Sequence, residues 1–382
     1  MHSSAPAIAR ISVIGAGPGG LTCARILQKH GIPVTVYDRD PHPEARDQGG
    51  TLDLHADDGQ LALREAGLIE EFFALARPEG QEMRLLDPAG HLLGHHLPAK
   101  DELFKPEIDR GQLRDLLLRS LEPGTVRWGR AVAKVSGPAD GPRRLHFPDG
   151  TTVESDLVIG ADGAFSRVRP AVSPAVPQYT GVTFLEAWFQ DVGNAHPDLA
   201  ALVGQGGATA ADGDRALFAQ RNSGDRIRVY LIQRLPADWI TAGGLTTDDT
   251  AGIRARLLHA YSGWSPLLRQ MITGNDGPYL DRPLYALPVP HAWNPTPTVT
   301  LLGDAAHLMP PLGVGANLAM LDACELALAL AGSTTIADAV ATYEKTMLPR
   351  AADAARALEN GAEALLERHD SSDIAAFAPP QR

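Results

Sequence analysis

The chain has 382 residues, a length that suits one large domain or two ordinary ones. Hydrophobic residues make up 44% and charged residues 21%, an ordinary globular balance that permits a sizeable core. Acidic residues outnumber basic ones 46 to 34, for a formal charge of −12, which argues against nucleic acid as a partner because phosphate binding needs clustered Lys and Arg.

The first elements read as strand, turn, helix, turn, strand. Ile11–Ile14 is short, apolar and β-branched. A glycine cluster follows, then a helix to about His30 with Leu21, Ala24 and Leu27 on its apolar side. Gly31 stands where a helix end wants a positive φ, and Val34–Tyr37 is the second strand. Together they make one βαβ unit. Helical patterns recur at Gly59–Gly67 and Arg110–Leu121. Thr151–Ile159 reads as a hairpin arm running into a buried strand, Leu157–Ile159. Thr180–Gln233 alternates β-rich runs with Gly and Asn turns, with strands expected at Val182–Phe189 and Ile227–Ile232. Thr298–Leu302 returns to a buried-strand pattern, and Cys324–Leu330 and Ala337–Leu365 are helical. No internal repeat of 20–50 residues is visible.

No stretch reaches the roughly 18–20 continuous apolar residues of a membrane span. Met1–Arg10 has no basic region leading into a long apolar run, so a cytoplasmic protein without a secretory signal is expected. Cys23 and Cys324 fall in apolar helical patterns and are expected as buried thiols.

The strongest local signal is Gly15-Ala16-Gly17-Pro18-Gly19-Gly20. Gly15 permits the tight turn, Gly17 lets backbone approach a pyrophosphate, and Gly20 lets the helix pack on the strand. The helix N-terminus offers free N–H groups to the phosphates. Asp38 ends the next strand at the offset of a ribose contact, while Arg39 beside it also suits a 2′-phosphate. This unit alone does not separate FAD from NAD(P). Further along, Gly160-Ala161-Asp162-Gly163 and Gly303-Asp304-Ala305-Ala306-His307 each deliver an Asp into a glycine turn after a buried strand. Such a carboxylate suits sugar or ribityl hydroxyls. Pro310–Asn317 then opens another helix with exposed N–H groups.

The order GAGPGG, Ile108-Asp109-Arg110-Gly111-Gln112-Leu113, GADG and GDAAH resembles the group A flavoprotein monooxygenases, the para-hydroxybenzoate hydroxylase-like family, over nearly the whole chain. Val36–Asp40, Glu44–Arg46, Gly49–His55 and Gly303–Pro311 resemble its TetX-type, tetracycline-inactivating branch. The resemblance implies a doubly wound, Rossmann-like α/β FAD-binding domain, a mostly antiparallel β-sheet substrate domain and a C-terminal bridging helix. The expected division is 1–75, 101–175 and 283–336 for FAD, 76–100 and 176–282 for substrate, and 337–370 for the bridge.

Roles follow residue by residue. Asp38 and Arg39 would hold the adenosine end of FAD. Arg110 and Asp304 would meet its pyrophosphate and ribityl chain, and Asp53 would lie near the flavin. Arg46 would help receive NADPH, a transient electron donor with no glycine fingerprint of its own. Asp162 and Gly163 would serve both cofactors, and Gly313, Gly315 and Asn317 would line the flavin ring. Reduced flavin would take up oxygen as a hydroperoxide and hydroxylate a phenolic or enolic, aromatic or polycyclic substrate. A reductase or oxidase on the same scaffold is the alternative. No catalytic side chain is named, and a monomer is expected.

The chain also departs from the TetX-type pattern. It keeps the Asp-Gly motif that branch tends to lose. The branch's GQGxN turn is here Gly313-Val314-Gly315-Ala316-Asn317, one residue short before it. The tetracycline-contacting Gln falls at Glu186, near which Pro311 is the other substrate candidate, and the branch's nearby Arg has no counterpart in Gly204–Asp214. Asp162 and Asp304 also suit plain turn caps. His307 is expected to be structural. His91, His95 and His96 read as a surface turn, since no metal-ligand spacing supports them. Trp188, Trp239 and Trp264 suit either substrate cover or packing.

Overall fold

Ile11–Ile14 is buried at all four residues because it is the middle strand of a five-stranded parallel sheet. The computed structural model describes residues 9–377. The sheet runs Val299–Leu301, Leu157–Gly160, Ile11–Ile14, Val34–Tyr37, Val126–Arg127, with every pair parallel. Pro18 opens the helix Pro18–Lys29, where its missing N–H costs nothing, and Gly31 follows the helix end at φ +71°. Leu21, Ala24 and Leu27 are fully buried against the sheet. Thr152–Ser155 is indeed a hairpin arm, paired with Arg143–His146, to which Lys134–Ser136 adds a third strand.

The second large sheet has seven strands, in the order Leu280–Ala286, Gln178–Phe189, Arg226–Arg234, Arg215–Asn222, Gly207–Ala211, Met83–Leu86, Leu92–His96. Its pairs are antiparallel except Met83–Leu86 with Gly207–Ala211. Alternation divides its two faces. Leu185, Ala187, Phe189, Leu217, Val229 and Leu231 join Trp239, Tyr261 and Trp264 in one core. The opposite face, carrying Glu186, Trp188, Gln220, Arg228 and Tyr230, turns toward the segments from the parallel-sheet half.

The helix Gly315–Gly332 is, among the described residues, the one long and apolar enough to cross a membrane, with a mean hydropathy of 1.3. Met320, Ala323, Cys324, Leu326 and Ala327 instead sit in the core beside the parallel sheet. Cys23 and Cys324 are both buried free thiols, and burial pushes each up to about 12.

The C-terminal segment corrects one expectation. Ala337–Leu365 is not a single helix: Ile336–Ala357 ends at Leu358, and a separate short helix spans Gly361–Ala364. The break has a packing reason. Val340, Tyr343, Met347 and Ala351 bury in the parallel-sheet core, whereas Ala362 and Leu366 pack on Val182, Phe184, Ala216 and Ile232 of the other sheet. One straight helix cannot serve both surfaces. Gly361 sits at the bend, where a Cβ would come within 2.7 Å of Leu312.

Candidate active site

The glycine turn is built for different purposes at each position. Gly15 has φ +110°, and a Cβ there would overlap the Ala161 carbonyl. A Cβ at Gly20 would overlap the Gly15 carbonyl, and one at Gly19 would lie 2.8 Å from Leu302 and 2.9 Å from Ala319 O. At Gly17 a Cβ would meet nothing within 4 Å. Three glycines are thus required by protein packing, while Gly17 faces open space. Gly19 brings the first turns of Pro18–Lys29 and Gly315–Gly332 together, and neither helix has a side-chain N-cap. Two uncapped N-termini side by side favour an anionic ligand.

Asp38 lies beside this turn because Ile14 registers with Tyr37. Its carboxylate accepts the N–H of Ala16 at 2.6 Å and of Asp40 at 2.8 Å, so it braces the glycine loop from within. Arg39 is exposed and makes no side-chain hydrogen bond or ion pair with the described residues. Arg46 pairs with the buried Asp40 at 3.0 Å. Arg114, unflagged by any motif, is 3% exposed, donates to Ala16 O and lies 3.6 Å from Asp40. Its burial lowers its pKa, and Nη2 has no hydrogen-bond partner among the described residues.

The two Asp motifs behave differently. Asp162 accepts from Ser166 Oγ and Arg167 N, each at 2.6 Å, and Val168 N at 3.3 Å. Burial raises its pKa against those bonds. Its carboxylate therefore straps its own loop. Arg169 continues the strap, donating to Ala164 O, Asp304 O and Ala305 O. Asp304, by contrast, is exposed with no side-chain partner among the described residues, and its Oδ1 would lie 3.9 Å from a Cβ at Gly315. It stands free at the uncapped N-terminus of Gly315–Gly332. His307 is structural: it lies 2.6 Å from Asp322, which also takes Arg350 at 2.8 Å and Gly303 N at 3.0 Å. Burial opposes both charges, yet the pair holds His307 above and Asp322 below their ordinary values.

Thr51–Asp53 pairs antiparallel with Glu107–Asp109. Asp53 faces Gly313 and lies 3.2 Å from His55. Burial opposes the charge on His55, but hydrogen bonds to Asp53 and Asp58 outweigh it and push it up to about 9. Asn317 is 1% exposed and spends its amide on protein: it accepts from His55 N and Gly59 N and donates to Asp53 O and Gly313 O. It clamps the two turns rather than presenting its side chain. Arg110 begins its helix exposed, with no side-chain partner among the described residues, beside Gly49. Glu107 is buried; burial first, then the charge of Asp53, pushes it up to about 8.

Gly49 and Gly50 lie directly on the second sheet. A Cβ at Gly50 would come within 2.6 Å of Tyr230 Oη and 3.2 Å of Arg228 Cδ. Arg228 is 1% exposed, pairs with Glu186 and lies over the Trp188 ring at 4.5 Å. Its Nε and Nη1 have no hydrogen-bond partner among the described residues, Nη1 being 3.5 Å from Asp47. Glu186 also lies 3.4 Å from Arg282. An arginine thus does stand beside Glu186, but it comes from Arg226–Arg234. Phe218 stacks on Tyr230 at 5.8 Å, and Phe184 tilts against it at 5.7 Å. Pro311 is exposed. Trp239 and Trp264 are buried on the far face, so of the three candidate tryptophans only Trp188 is on this one. His91, His95 and His96 each face a different carboxylate, Asp87, Glu82 and Glu102.

Open space at Gly17, paired helix N-termini and the free Asp304 fit a dinucleotide cofactor. The family described as "FAD binding domain" matches residues 9–236 and 295–357. The chain belongs to this family. It is a FAD-dependent monooxygenase, as its relatives indicate. Monooxygenase penA of Penicillium thymicola is 31% identical, over 90% of this chain and 92% of its own. The 3-amino-4-hydroxybenzoate 2-monooxygenase of Streptomyces cremeus is 31% identical, over 93% and 87%. The crystal structure of tetracycline destructase Tet(51) shares the fold at a TM-score of 0.71 and 19% identity, over 97% and 94%. The resemblance to group A flavoprotein monooxygenases, with TetX-type structures among the neighbours, therefore holds.

Glu107, Arg114, Gln220, Arg228 and Tyr230 were missed by motif reading. Only the last two carried a signal. In Arg226–Arg234 the polar residues 226, 228 and 230 alternate with Ile227, Val229 and Leu231. That pattern marks a strand with one polar face, and a solvated face gives the same pattern.

Proposed function

We propose that this monooxygenase consumes NAD(P)H, with NADPH the favoured donor, and oxygen to hydroxylate an aromatic, phenolic or enolic small molecule. The observation that carries the reading is the sheet face under Gly49–Gly50. There the rings of Phe184, Phe218 and Tyr230 lie next to the buried Arg228. Aromatic rings exclude water and suit a flat substrate. Nε and Nη1 of Arg228, free of hydrogen bonds among the described residues though Nη1 lies 3.5 Å from Asp47, suit an oxygen that carries negative charge, as an ionised phenol or enol does. Glu186 adds no net repulsion, because Arg228 and Arg282 neutralise it.

Bound FAD would supply the redox and oxygen-activating chemistry. Gly15, Gly17 and Gly20 with the two helix N-termini would receive its pyrophosphate, and Asp304 and Arg110 would hold its ribityl and phosphate groups. Arg39 would take the adenosine end, with Asp38 bracing the loop. Asp53, Gly313, Gly315 and Asn317 would shape the flavin pocket, Asn317 by clamping its turns. Arg46 and the Asp162–Gly163 loop are the proposed approach for NADPH. The proposed division is 1–75, 101–175 and 283–336 for FAD, with 76–100 and 176–282 for substrate. Two separate core clusters support it.

The test is a screen of the flavin-loaded chain for substrate-stimulated NADPH oxidation and product mass, against phenolic acids, phenolic polyketides and tetracyclines. A gain of one oxygen with at least one phenolic or enolic compound is expected. NADPH oxidation that yields only hydrogen peroxide across the panel would show the reductase or oxidase instead. A tetracycline product would support the narrower, TetX-like substrate.

A further inference from the structure

Glu107 sits where the flavin-side strands meet the substrate-facing sheet, and no motif accounts for it. Oε2 lies 2.6 Å from Thr51 Oγ1, and Oε1 accepts from Gln220 Nε2 at 3.2 Å. Thr51 Oγ1 is also 2.9 Å from Ile108 O. That hydroxyl has one proton and two acceptors in reach. Both bonds form only if Glu107 carries a proton of its own: Glu107 then donates to Thr51, and Thr51 donates to Ile108.

The surroundings agree. Asp53 faces Glu107 across the two-stranded sheet. Arg77 and Lys105 are the nearby cations, but Arg77 spends Nη1 and Nη2 on Asp109, Arg221 O and Thr51, its Nε has no hydrogen-bond partner among the described residues, and neither cation pairs with Glu107. Tyr230 is a further titratable neighbour. Gly80 leaves the space Glu107 fills, since a Cβ there would lie 2.7 Å away. A glutamine would make the same two hydrogen bonds without the cost of a buried carboxyl.

We propose that Glu107 is a positioning residue that holds a proton and, through Gln220, fixes the substrate-facing sheet against the flavin-side strand Thr51–Asp53. Losing the proton places its charge opposite Asp53, removes the donor to Thr51 and loosens the junction. The inference rests on the proposed reading only where NADPH oxidation is the readout.

The test compares wild type with Glu107→Gln in melting temperature and in NADPH oxidation by the FAD-loaded protein, between pH 5 and 10. A raised folded pKa contributes stability below the unfolded value of about 4.3 that is lost as pH rises to the folded value. The advantage of Glu107→Gln in melting temperature should therefore grow from about pH 4.3 to about pH 8 and then level off. NADPH oxidation by wild type should fall about tenfold per pH unit above that point, and Glu107→Gln should lack this limb. Parallel melting curves, or an unchanged alkaline limb in Glu107→Gln, would overturn the proposal. If Glu107→Gln does not fold, Gln220→Ala carries the test. Its rate at pH 7 should already match that of wild type at pH 9, and a retained limb would overturn the idea. Melting of the FAD-loaded protein is read without substrate or NADPH, so a failed oxygenation screen leaves this result standing.

Discussion

A methyl group at position 17 would touch no protein atom within 4 Å, whereas one at position 20 would overlap the Gly15 carbonyl. The same residue type therefore serves ligand and fold at neighbouring sites. Gly17→Ala should keep its stability within about 1 kcal/mol, since Gly17 has an ordinary φ of −84°. Its FAD affinity should drop at least about tenfold, the methyl standing where a pyrophosphate must approach. Gly20→Ala should lose about 1–3 kcal/mol of stability from overpacking. Urea unfolding and flavin fluorescence titration separate the two effects. The acids divide in the same way. Asp304 stands free, while Asp38 and Asp162 hold their own loops, and local sequence does not distinguish them.

The Gly303-Asp304 turn is held from behind by the helix Gly315–Gly332, while Arg169 takes the Asp304 and Ala305 carbonyls. Asp322, on Gly315–Gly332, accepts Gly303 N and binds His307 and Arg350. Removing the buried Asp322 charge leaves the buried His307 without its ion partner, at about 3–5 kcal/mol, while Arg350 keeps Glu325. Asp322→Asn should lose stability on that scale in urea and also weaken FAD binding, because the turn presenting Asp304 loses its anchor. Asp304→Asn should weaken FAD binding with little change in unfolding, since its carboxylate touches no described side chain. The contrast between the two variants separates the turn from the group it presents. A drop in stability for Asp304→Asn equal to that of Asp322→Asn would contradict it.

At the scale of the whole molecule, Asp109 is a highly connected polar joint between the two halves, beside the Glu107–Gln220 bond and the contact of Gly50 with Tyr230. It is 5% exposed and accepts from Arg77 at 3.1 Å, Ser223 Oγ at 2.6 Å and Arg226 at 3.2 Å. Arg226 and Ser223 come from the seven-stranded sheet and its adjoining turn, while Asp109 precedes Arg110, a proposed FAD contact. Asp109→Ala strands two arginines and should cost about 3–5 kcal/mol. Calorimetry should then show the single unfolding transition splitting, with the two halves melting apart, because the cores are separate clusters. An unsplit, unshifted transition would show that the junction lies elsewhere.

Sequence alone determined the βαβ start, the order of the glycine and Asp turns, and the buried strands read at 157–159 and 298–302, which the structure places at 157–160 and 299–301. Each rests on local rules: hydrophobic period, glycine conformations and helix starts act within a few residues. Those rules placed the motifs, and the resemblance the motifs carry in that order pointed to the FAD-binding family. The local rules could not say which polar side chains face ligand: Asp38 and Asn317 are satisfied by partners distant in sequence, and the choice between turn cap and ligand contact stayed open for Asp162, which caps its own loop, and for Asp304, which does not. They also read Ala337–Leu365 as one helix, since its composition stays helical past Ala357 and only the two surfaces it must cover force the break at Leu358. The proposed substrate face was legible at Glu186, which the resemblance named, while Arg228 and Glu107 were hidden for the same reason. Arg228, Glu186 and Glu107 come together from three strands, 107–109, 178–189 and 226–234, and burial there is decided by the packing of one sheet on another. A buried arginine and a solvated one look identical in a strand pattern until the tertiary structure lays Gly49 and Gly50 over it.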